Sequence, residues 1–272
     1  MTAASAGVPS PEQRFESDRI HASATVLILG AVGLALLGAG RLVDHGQAGQ
    51  AGCCAGLIVI AVALVLHVEH LTFRVGRSAV VLIIVGVVID AFGYLLQAIG
   101  LSGSSITWIV IGVGRVVVGA GVAMVAVNKE GQMKAALAEY ASGAPWSGHV
   151  TVHASFLSLI TGASGLVLLG FGLIAQDISD LRVANVVQTA GCTLIAVGII
   201  SHVGHLASRI GKVAVIAVIL GVLTYGVNGI PDLIDPDNGV AHETFWHVSI
   251  GIGALLGALA CLLTLLKKTR NP

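Results

Sequence analysis

Six of the ten histidines in this sequence fall into two triads with the same internal order. The members are His21, His67 and His70 in the first half of the chain, and His153, His202 and His205 in the second. Side chains three residues apart on a helix share a face, so each closely spaced pair can bind one partner. Imidazole is a ligand for zinc, copper and iron. The triads therefore predict two metal sites, one in each half of the chain.

Haem is the alternative cofactor. A haem iron takes its two axial ligands from opposite sides of the ring, so His67 and His70 on one helix face cannot both ligate it. Either one member of each pair ligates a haem and the other donates a hydrogen bond, or the pair chelates a bare zinc, copper or iron ion. In both cases His67, His70, His202 and His205 are the cofactor-binding residues. The competing interpretation is that these histidines only sit at the headgroup level of a bilayer.

Two ionisable residues in the first half, Asp90 and Arg115, stand in the middle of apolar segments. Their counterparts in the second half are the uncharged Tyr225 and Ala254. A charge at the centre of a bilayer costs roughly 2.5–3.5 kcal/mol on insertion scales, so Asp90 and Arg115 are predicted to pair. Together with Glu69, which stands within the first histidine pair, they are candidate catalytic residues for proton transfer or substrate binding. The alternative is a structural pair that fixes helix register.

The composition is that of an integral membrane protein. Of the 272 residues, 56% are apolar and 10% are charged, and the mean hydropathy is +0.94. The formal net charge is zero and no basic stripe is present, so nothing indicates nucleic acid as a partner. Charged residues precede the first apolar run, so no cleavable signal peptide is expected. The four cysteines lack a CxxC spacing and are expected to be small buried hydrophobic residues.

Eight segments reach the length of about 20 apolar residues that a helix needs to cross a bilayer. They are 23–42, 52–73, 78–100, 106–128, 154–175, 185–206, 212–230 and 245–266. Eleven lysines and arginines lie on the side of the two termini, against Arg41 and Arg182 on the other side. The positive-inside rule then predicts a multi-pass protein of the cell membrane with both termini in the cytoplasm. Trp108 and Trp246 open two spans on the outer side and are expected to be interfacial anchors.

The triads belong to an internal duplication. The segment Gly30-Ala-Val-Gly-Leu-Ala-Leu-Leu-Gly-Ala-Gly40 reappears as Gly162-Ala-Ser-Gly-Leu-Val-Leu-Leu-Gly-Phe-Gly172. With four spans each, both copies enter the membrane from the same side. The predicted fold is therefore an all-α polytopic membrane protein whose eight transmembrane helices form two parallel four-helix units, related by a pseudo-two-fold axis along the membrane normal.

The duplication also sets the expected domain boundaries. They are a cytoplasmic tail 1–20, a first repeat 21–128, a cytoplasmic connector 129–148, a second repeat 149–266 and a cytoplasmic tail 267–272. Two four-helix units that each present histidines resemble, in plan, haem A synthase and other membrane b-type cytochromes. No stretch of the sequence matches a motif of those proteins, so the resemblance is architectural alone.

Three functions are compatible with these features. The first is a redox protein or metal-dependent membrane enzyme with haem or a transition metal at the cytoplasmic histidines. The second is a transporter or channel that uses Asp90 and Arg115 as a midplane site, although no predicted span contains a proline that would break a helix there. The third is a membrane scaffold or accessory subunit without activity. The expected partners are the lipid bilayer and, for the first two functions, a quinone or a small-molecule substrate; no particular protein partner is indicated.

Overall fold

The computed structural model describes residues 22–43, 46–101, 105–142, 152, 154–176, 181–234 and 239–270, without the side chains of residues 140, 205, 232, 233 and 239–243. This part of the chain is 94% helical and has no strands. It confirms the all-α fold class and a multi-pass membrane protein whose apolar helices contact lipid. His21 and His153, one from each predicted triad, lie outside the described residues.

Eleven α-helices make up the described chain. In order they are α1 Ala24–Val43, α2 Gln47–Leu66, α3 Val68–Val75, α4 Arg77–Leu96, α5 Ser105–Ala141, α6 Phe156–Ala175, α7 Leu181–Val203, α8 Ala207–Ile210, α9 Lys212–Gly226, α10 Ile230–Ile234 and α11 Gly239–Arg270. A π-helical turn, Gln97–Leu101, extends α4, and a 3-10 turn, Gly204–Leu206, precedes α8.

Seven helices in the described chain are long and apolar enough to cross a bilayer, where the sequence predicts eight spans. The difference is α9, which has 15 residues. At 1.5 Å per residue it is about 22 Å long, short of a hydrocarbon core about 30 Å thick. The apolar pattern predicts helix as far as residue 230, but the backbone turns at Val227 (φ −97°, ψ 0°) and α9 ends at Gly226.

The second predicted span, 52–73, is also interrupted. The backbone leaves helical geometry at His67 (φ −108°, ψ 6°), so α2 stops at Leu66 and a separate short helix follows. That helix, α3, carries Glu69, His70 and Arg74 in eight residues. These polar side chains favour the membrane interface over the hydrocarbon core. The apolar helix α2 therefore ends where the sequence becomes polar.

The eight longest helices form a closed ring. Each packs against two neighbours, in the order α1, α2, α4, α5, α6, α7, α9 and α11, and α11 packs back against α1. The contacts between α5 and α6 and between α11 and α1 join the two halves of the chain. Large apolar side chains such as Val62, Phe92 and Phe171 are exposed on the helices, as expected for surfaces that face lipid.

Glycines allow the neighbouring helices of the ring to approach closely. A Cβ atom on Gly33 would lie 2.8 Å from the carbonyl oxygen of Gly56, where α1 meets α2, and one on Gly165 would lie 2.6 Å from that of Gly191, where α6 meets α7. Four further pairs approach in the same way: Gly86 with Gly114, Gly221 with Gly253, Gly112 with Gly170, and Gly38 with Gly251. Such contacts let backbones pack where no hydrophobic effect drives helices together.

The connector between the halves begins as a continuation of a spanning helix. The sequence predicts a span over 106–128 and a separate surface helix after it, but α5 runs without a break from Ser105 to Ala141, a length of 37 residues. The Asn128 side chain donates a hydrogen bond to the carbonyl oxygen of Val75 (2.6 Å), which holds α5 against the end of α3. The Lys129 ammonium donates to the carbonyl oxygen of Ala154 ahead of α6.

Candidate functional site

A cavity of about 240 Å³ lies inside the ring. Seven of the eight ring helices contribute to its wall, and only α7 does not. The lining residues are Leu37, Arg41, Leu57, Val87, Asp90, Tyr94, Arg115, Val118, Leu166, Leu169, Tyr225 and Ile250. Seven of these twelve side chains are leucine, valine or isoleucine. The second half of the chain contributes four of the twelve: Leu166, Leu169, Tyr225 and Ile250. The cavity is therefore mostly apolar with a few convergent polar groups, which is the usual character of a small-molecule site.

The predicted pairing of Asp90 with Arg115 is confirmed. Nε of Arg115 lies 3.6 Å from Oδ2 of Asp90, and both side chains are largely buried. Gly114 makes this approach possible, since a Cβ atom at that position would lie 2.6 Å from the backbone nitrogen of Asp90. The second carboxylate oxygen, Oδ1, is buried and has no hydrogen-bond partner among the described residues. The pair is long for a charge-assisted hydrogen bond and leaves half of the carboxylate unsatisfied.

Arg41 is a second buried arginine of the same site. The sequence places it at the outer end of the first predicted span, 23–42, and counts it among the outer charges; in the structure it lies in the last turn of α1 and is only 3% exposed. Its Nη2 donates to the hydroxyl of Tyr94, and its Nη1 lies 3.3 Å from Nδ1 of His247. The guanidinium carbon also lies 4.9 Å from the centre of the Tyr94 ring and 4.8 Å from that of Trp246. Helix α1 continues past Arg41 to Val43 and packs the Arg41 side chain into the ring, which makes this residue part of the site.

Trp246, which the sequence predicts as an interfacial anchor, packs against two residues of the site. Its indole ring contacts the Arg41 guanidinium and packs edge-on against His247, with ring centres 5.1 Å apart. Cation–π contact of this kind is worth about 2 kcal/mol when the cation is desolvated. Trp108, the other predicted anchor, packs against the buried cluster that includes Cys53, Tyr94 and Ile111. Both tryptophans pack against side chains of the bundle, and their position at the membrane interface stays a prediction.

Tyr94 joins the two arginines. Its hydroxyl accepts a hydrogen bond from Arg41 and another, of 3.2 Å, from Nη2 of Arg115. The described charged residues of the cavity wall are thus two guanidinium groups and the one carboxylate of Asp90, a sum of +2 − 1 = +1. The contacts given above use two of the five N–H groups of each arginine. The site has positive charge and donors to offer to an anion.

The second half of the chain contributes neutral polar groups at the matching place. Tyr225, the counterpart of Asp90, lines the same cavity and is hydrogen-bonded to Cys192. Asn228 is 2% exposed, and its Nδ2 lacks a hydrogen-bond partner among the described residues. All four cysteines are free, and Cys53, Cys54 and Cys192 are buried, as the sequence predicts.

The first histidine pair is close but lies outside this cavity. The rings of His67 and His70 are 4.8 Å apart, on either side of the break between α2 and α3. Burial lowers the pKa of His67 below its usual value of 6.5, and the neighbouring His70, Arg74 and Lys268 lower it further. Burial and the charge of Arg74 lower the pKa of His70 in the same way.

The other residues of the predicted metal sites are placed only in part. His202 is half-buried at the end of α7, and the His205 side chain is outside the described positions, as are His21 and His153 entirely. Within the described part of the chain, no group of three or more histidine, cysteine, aspartate or glutamate side chains could hold a metal ion. Glu69 is exposed on α3 and does not reach the cavity that Asp90 and Arg115 share.

Arg41 and Tyr94 are the site residues that sequence reasoning missed. Tyr94 follows Asp90 by four residues, so the two share a helix face, and this spacing is a usable signal. Arg41 follows the cavity residue Leu37 by the same interval. However, an arginine at the end of an apolar run also fits the first position of a loop. The sequence alone does not determine whether such a residue belongs to the last turn of the helix or to the loop after it.

Comparison with known proteins finds no matching family model, no similar curated protein and no similar solved structure. The chemistry of the cavity itself, a surplus of guanidinium groups enclosed by apolar walls, is what indicates a function.

Proposed function

We propose that this protein is a membrane carrier for a small organic monoanion, which binds in the central cavity between Arg41 and Arg115. This proposal takes up the transporter hypothesis of the sequence and adds Arg41 to its Asp90–Arg115 site. The observation that carries it is the convergence of two buried guanidinium groups on the Tyr94 hydroxyl, with one carboxylate to balance them.

The charge of the site selects the sign of the ligand. An uncompensated charge inside a membrane protein costs several kcal/mol, and the site holds two guanidinium groups against one carboxylate, so it favours an anion over a cation. The planar fork of arginine matches a carboxylate in a bidentate arrangement, and the N–H groups of Arg41 and Arg115 that the described contacts do not use are available for that purpose. A carboxylate is therefore the favoured anionic group.

The shape of the site selects the rest of the ligand. Leu37, Val87, Leu166 and Leu169 are among the aliphatic residues that line it, so the body of the ligand should be apolar. A cavity of about 150 Å³ holds one benzene molecule, and this one has about 240 Å³. A monocarboxylate with a small hydrocarbon or single-ring body fits both the charge and the volume.

The carrier proposal includes the predicted architecture of two parallel four-helix units. The glycine contacts support it, because the first-half pair Gly33 and Gly56 corresponds under the repeat to Gly165 and Gly191 (33 + 132 and 56 + 135). The contacts between the halves correspond in the same way: Gly38 with Gly251 matches Gly170 with Gly112. On this proposal α9 is the eighth spanning element, completed by the turn after it, and the two units move against each other around the cavity.

Binding of benzoate to the purified protein tests the proposed ligand class. Isothermal titration calorimetry in detergent should show saturable binding of benzoate, and no binding of the matched cation benzylamine. Arg41→Gln and Arg115→Gln should each weaken benzoate binding by about 10- to 100-fold, since a hydrogen bond to a charged group contributes about 1.5–3 kcal/mol. Arg182→Gln is the matched control, because Arg182 is exposed at the start of α7.

Proteoliposomes test carriage as distinct from binding. Radiolabelled benzoate should enter vesicles that contain the wild-type protein faster than vesicles that contain Arg115→Gln. Failure of benzoate, acetate and phosphate alike to bind the folded wild-type protein would overturn the proposal. Binding without uptake would leave an anion-binding membrane protein and remove the carrier function.

A second candidate function is the redox or metal site at the histidines, which the close approach of His67 and His70 favours. An absorption spectrum of the oxidised and reduced protein, with elemental analysis of the same sample, tests it. A Soret band indicates haem, and stoichiometric zinc, copper or iron without that band indicates a bare ion. If either is present, His67→Ala combined with His70→Ala should remove at least half of it; a sample with neither excludes this candidate.

A further inference from the structure

We infer that Asp90 couples anion binding to proton uptake, so that the substrate crosses the membrane together with one proton. This inference rests on the proposed anion site and adds the co-substrate. It starts from the geometry of Arg115, whose guanidinium can balance either the Asp90 carboxylate or a bound anion. The two negative groups compete for one cation.

The existing ion pair is poorly satisfied. The 3.6 Å between Arg115 Nε and Asp90 Oδ2 exceeds the length of a good charge-assisted hydrogen bond, and Asp90 Oδ1 accepts no hydrogen bond from any described residue. A buried carboxylate in this condition loses much of its hydration without full replacement. A proton on Oδ1 removes the charge, and the protonated group leaves Arg115 without a carboxylate partner.

The coupled step conserves charge. The substrate carboxylate approaches Arg115 and Arg41 while one proton from water binds Oδ1 of Asp90. Arg115 then exchanges its ion pair with Asp90 for one with the substrate. The summed charge of Arg41, Arg115 and Asp90 is +1 in the empty site and +2 when Asp90 is protonated. It returns to +1 when the charge of the bound monoanion is added. Proton and monoanion together carry no net charge, so the loaded carrier bears the same charge as the empty one.

The groups that face Asp90 leave it as the residue most suited to this exchange. The other titratable or charged residues of the cavity wall are Arg115 on α5, Arg41 on α1, Tyr225 on α9 and Tyr94 on the same helix as Asp90, α4. Cys53 on α2 is also close enough to Asp90 to interact with it electrostatically. α6 contributes only leucines to the wall. Arginine, tyrosine and cysteine keep their protonation state below about pH 8, whereas a carboxylate can titrate there when buried. His247 lies beside Arg41, with its Nδ1 3.3 Å from Nη1, so the test must separate it from Asp90, and Asp90→Asn does this because it keeps His247.

Calorimetric titration of benzoate into the wild-type protein between about pH 5.5 and 8, where benzoate stays ionised, tests the coupling. Repeating it in two cationic buffers with different ionisation heats counts the protons taken up. Uptake should approach one proton per benzoate, and the affinity should rise by about tenfold for each unit that the pH falls, because one proton is linked to binding. This count needs no variant, so it does not depend on the folding of a mutant.

Asp90→Asn, which keeps the shape of a protonated carboxyl group, should bind benzoate with the low-pH affinity of the wild type at every pH and take up no proton. Glu130→Gln, which removes an exposed carboxylate of α5 outside the cavity wall, should keep both the benzoate affinity and the proton uptake. Benzoate binding that is independent of pH in the wild type, or that keeps the same pH dependence in Asp90→Asn, overturns the coupling while leaving the anion site intact. Absence of benzoate binding in the wild type and in Asp90→Asn overturns the anion site itself.

Discussion

At the scale of single residues, the site is organised by one hydroxyl group. Tyr94 accepts hydrogen bonds from Arg41 on α1 and from Arg115 on α5. In the ring these two helices flank α2 and α4, and Tyr94 lies on α4. Each guanidinium is largely removed from water, so each needs acceptors inside the protein. The tyrosine hydroxyl and the Asp90 carboxylate provide them, and His247 and Trp246 complete the surroundings of Arg41.

Removing the Tyr94 hydroxyl should therefore destabilise the protein more than the same change at the other tyrosine of the cavity. Tyr94→Phe strands N–H groups on two buried arginines, at a cost of about 1–3 kcal/mol for each partner left without an acceptor. Tyr225→Phe removes a hydroxyl that is hydrogen-bonded to Cys192, a neutral group. Thermal unfolding in detergent should show the larger drop in midpoint for Tyr94→Phe. Equal midpoints for the two variants would contradict the central role of Tyr94.

The histidine pair gives a second effect at this scale, on the dependence of stability on pH. Burial first, and then nearby positive charge, lowers the pKa of His67 and of His70 in the folded protein. The unfolded chain therefore binds protons more readily, so these residues oppose folding once the pH falls below their usual value of 6.5 and have no effect well above it.

Wild-type protein should accordingly lose thermal stability as the pH is lowered from 7.5 towards about 5.5, where unfolded histidine becomes protonated. His67→Gln combined with His70→Gln should reduce that loss, because glutamine does not titrate. Unfolding midpoints measured across this range for both proteins check it. A loss of the same size in the double variant would show that other groups are responsible.

At the scale of helices, small residues decide which surfaces meet. The glycine pairs lie where neighbouring backbones nearly touch, and Gly165 on α6 would place a Cβ atom 2.6 Å from a backbone oxygen of α7. Gly162, three residues earlier on the same helix, faces open space, since a Cβ atom there would meet no neighbouring atom within 4 Å. The same residue type thus has two roles on one helix. Only the position facing α7 requires the absence of a side chain.

These two glycines form a matched pair of substitutions. Gly165→Ala should lower the unfolding midpoint, because the methyl group meets backbone that cannot rotate away, and overpacking costs about 1–3 kcal/mol. Gly162→Ala should be neutral or stabilising, since alanine is favoured over glycine within a helix by up to about 1 kcal/mol. Thermal unfolding of the two variants under the same conditions measures the difference. A larger loss in Gly162→Ala would contradict the packing of α6 on α7.

At the scale of the whole molecule, the ring of helices encloses the ion pair of Asp90 and Arg115. Large apolar side chains are exposed on the outside of the helices, where lipid would contact them. Because the Arg41 side chain is buried inside the ring, it no longer counts among the loop charges that predict orientation. Of the two basic residues counted on the outer side, Arg41 and Arg182, only Arg182 remains (2 − 1 = 1), against eleven on the side of the termini. The expected orientation therefore keeps both termini in the cytoplasm.

Cysteine accessibility in sealed cells should report that orientation. In a background without the four native cysteines, Gln47→Cys at the start of α2 should react with an impermeant maleimide, because Gln47 is exposed at the end of the bundle opposite the termini. Ser142→Cys, which follows the long helix α5, should react only after the membrane is permeabilised. Labelling of Ser142→Cys in intact cells, with Gln47→Cys protected, would show that the protein is inserted the other way round.

Composition and hydropathy were sufficient to predict an all-α membrane protein, the buried state of three cysteines and the pairing of Asp90 with Arg115. Each of these depends on a local property: the length of an apolar run, the polarity of a side chain, or the distance of a charge from the nearest helix end. The cost of leaving a charge alone in lipid makes the pairing of opposite charges at equal depth predictable.

Other features of the protein depend on the tertiary structure, because no local property of the sequence determines them. Whether the Arg41 side chain is buried depends on where α1 ends. It also depends on α11, which closes the ring beside α1 and brings His247 to Arg41 across 206 positions of sequence. Likewise, the break at His67 and the short α9 arise from backbone turns inside apolar stretches. Hydrophobic pattern specifies that a helix is buried, but the partner that each face meets is set by the close fit of neighbouring helices.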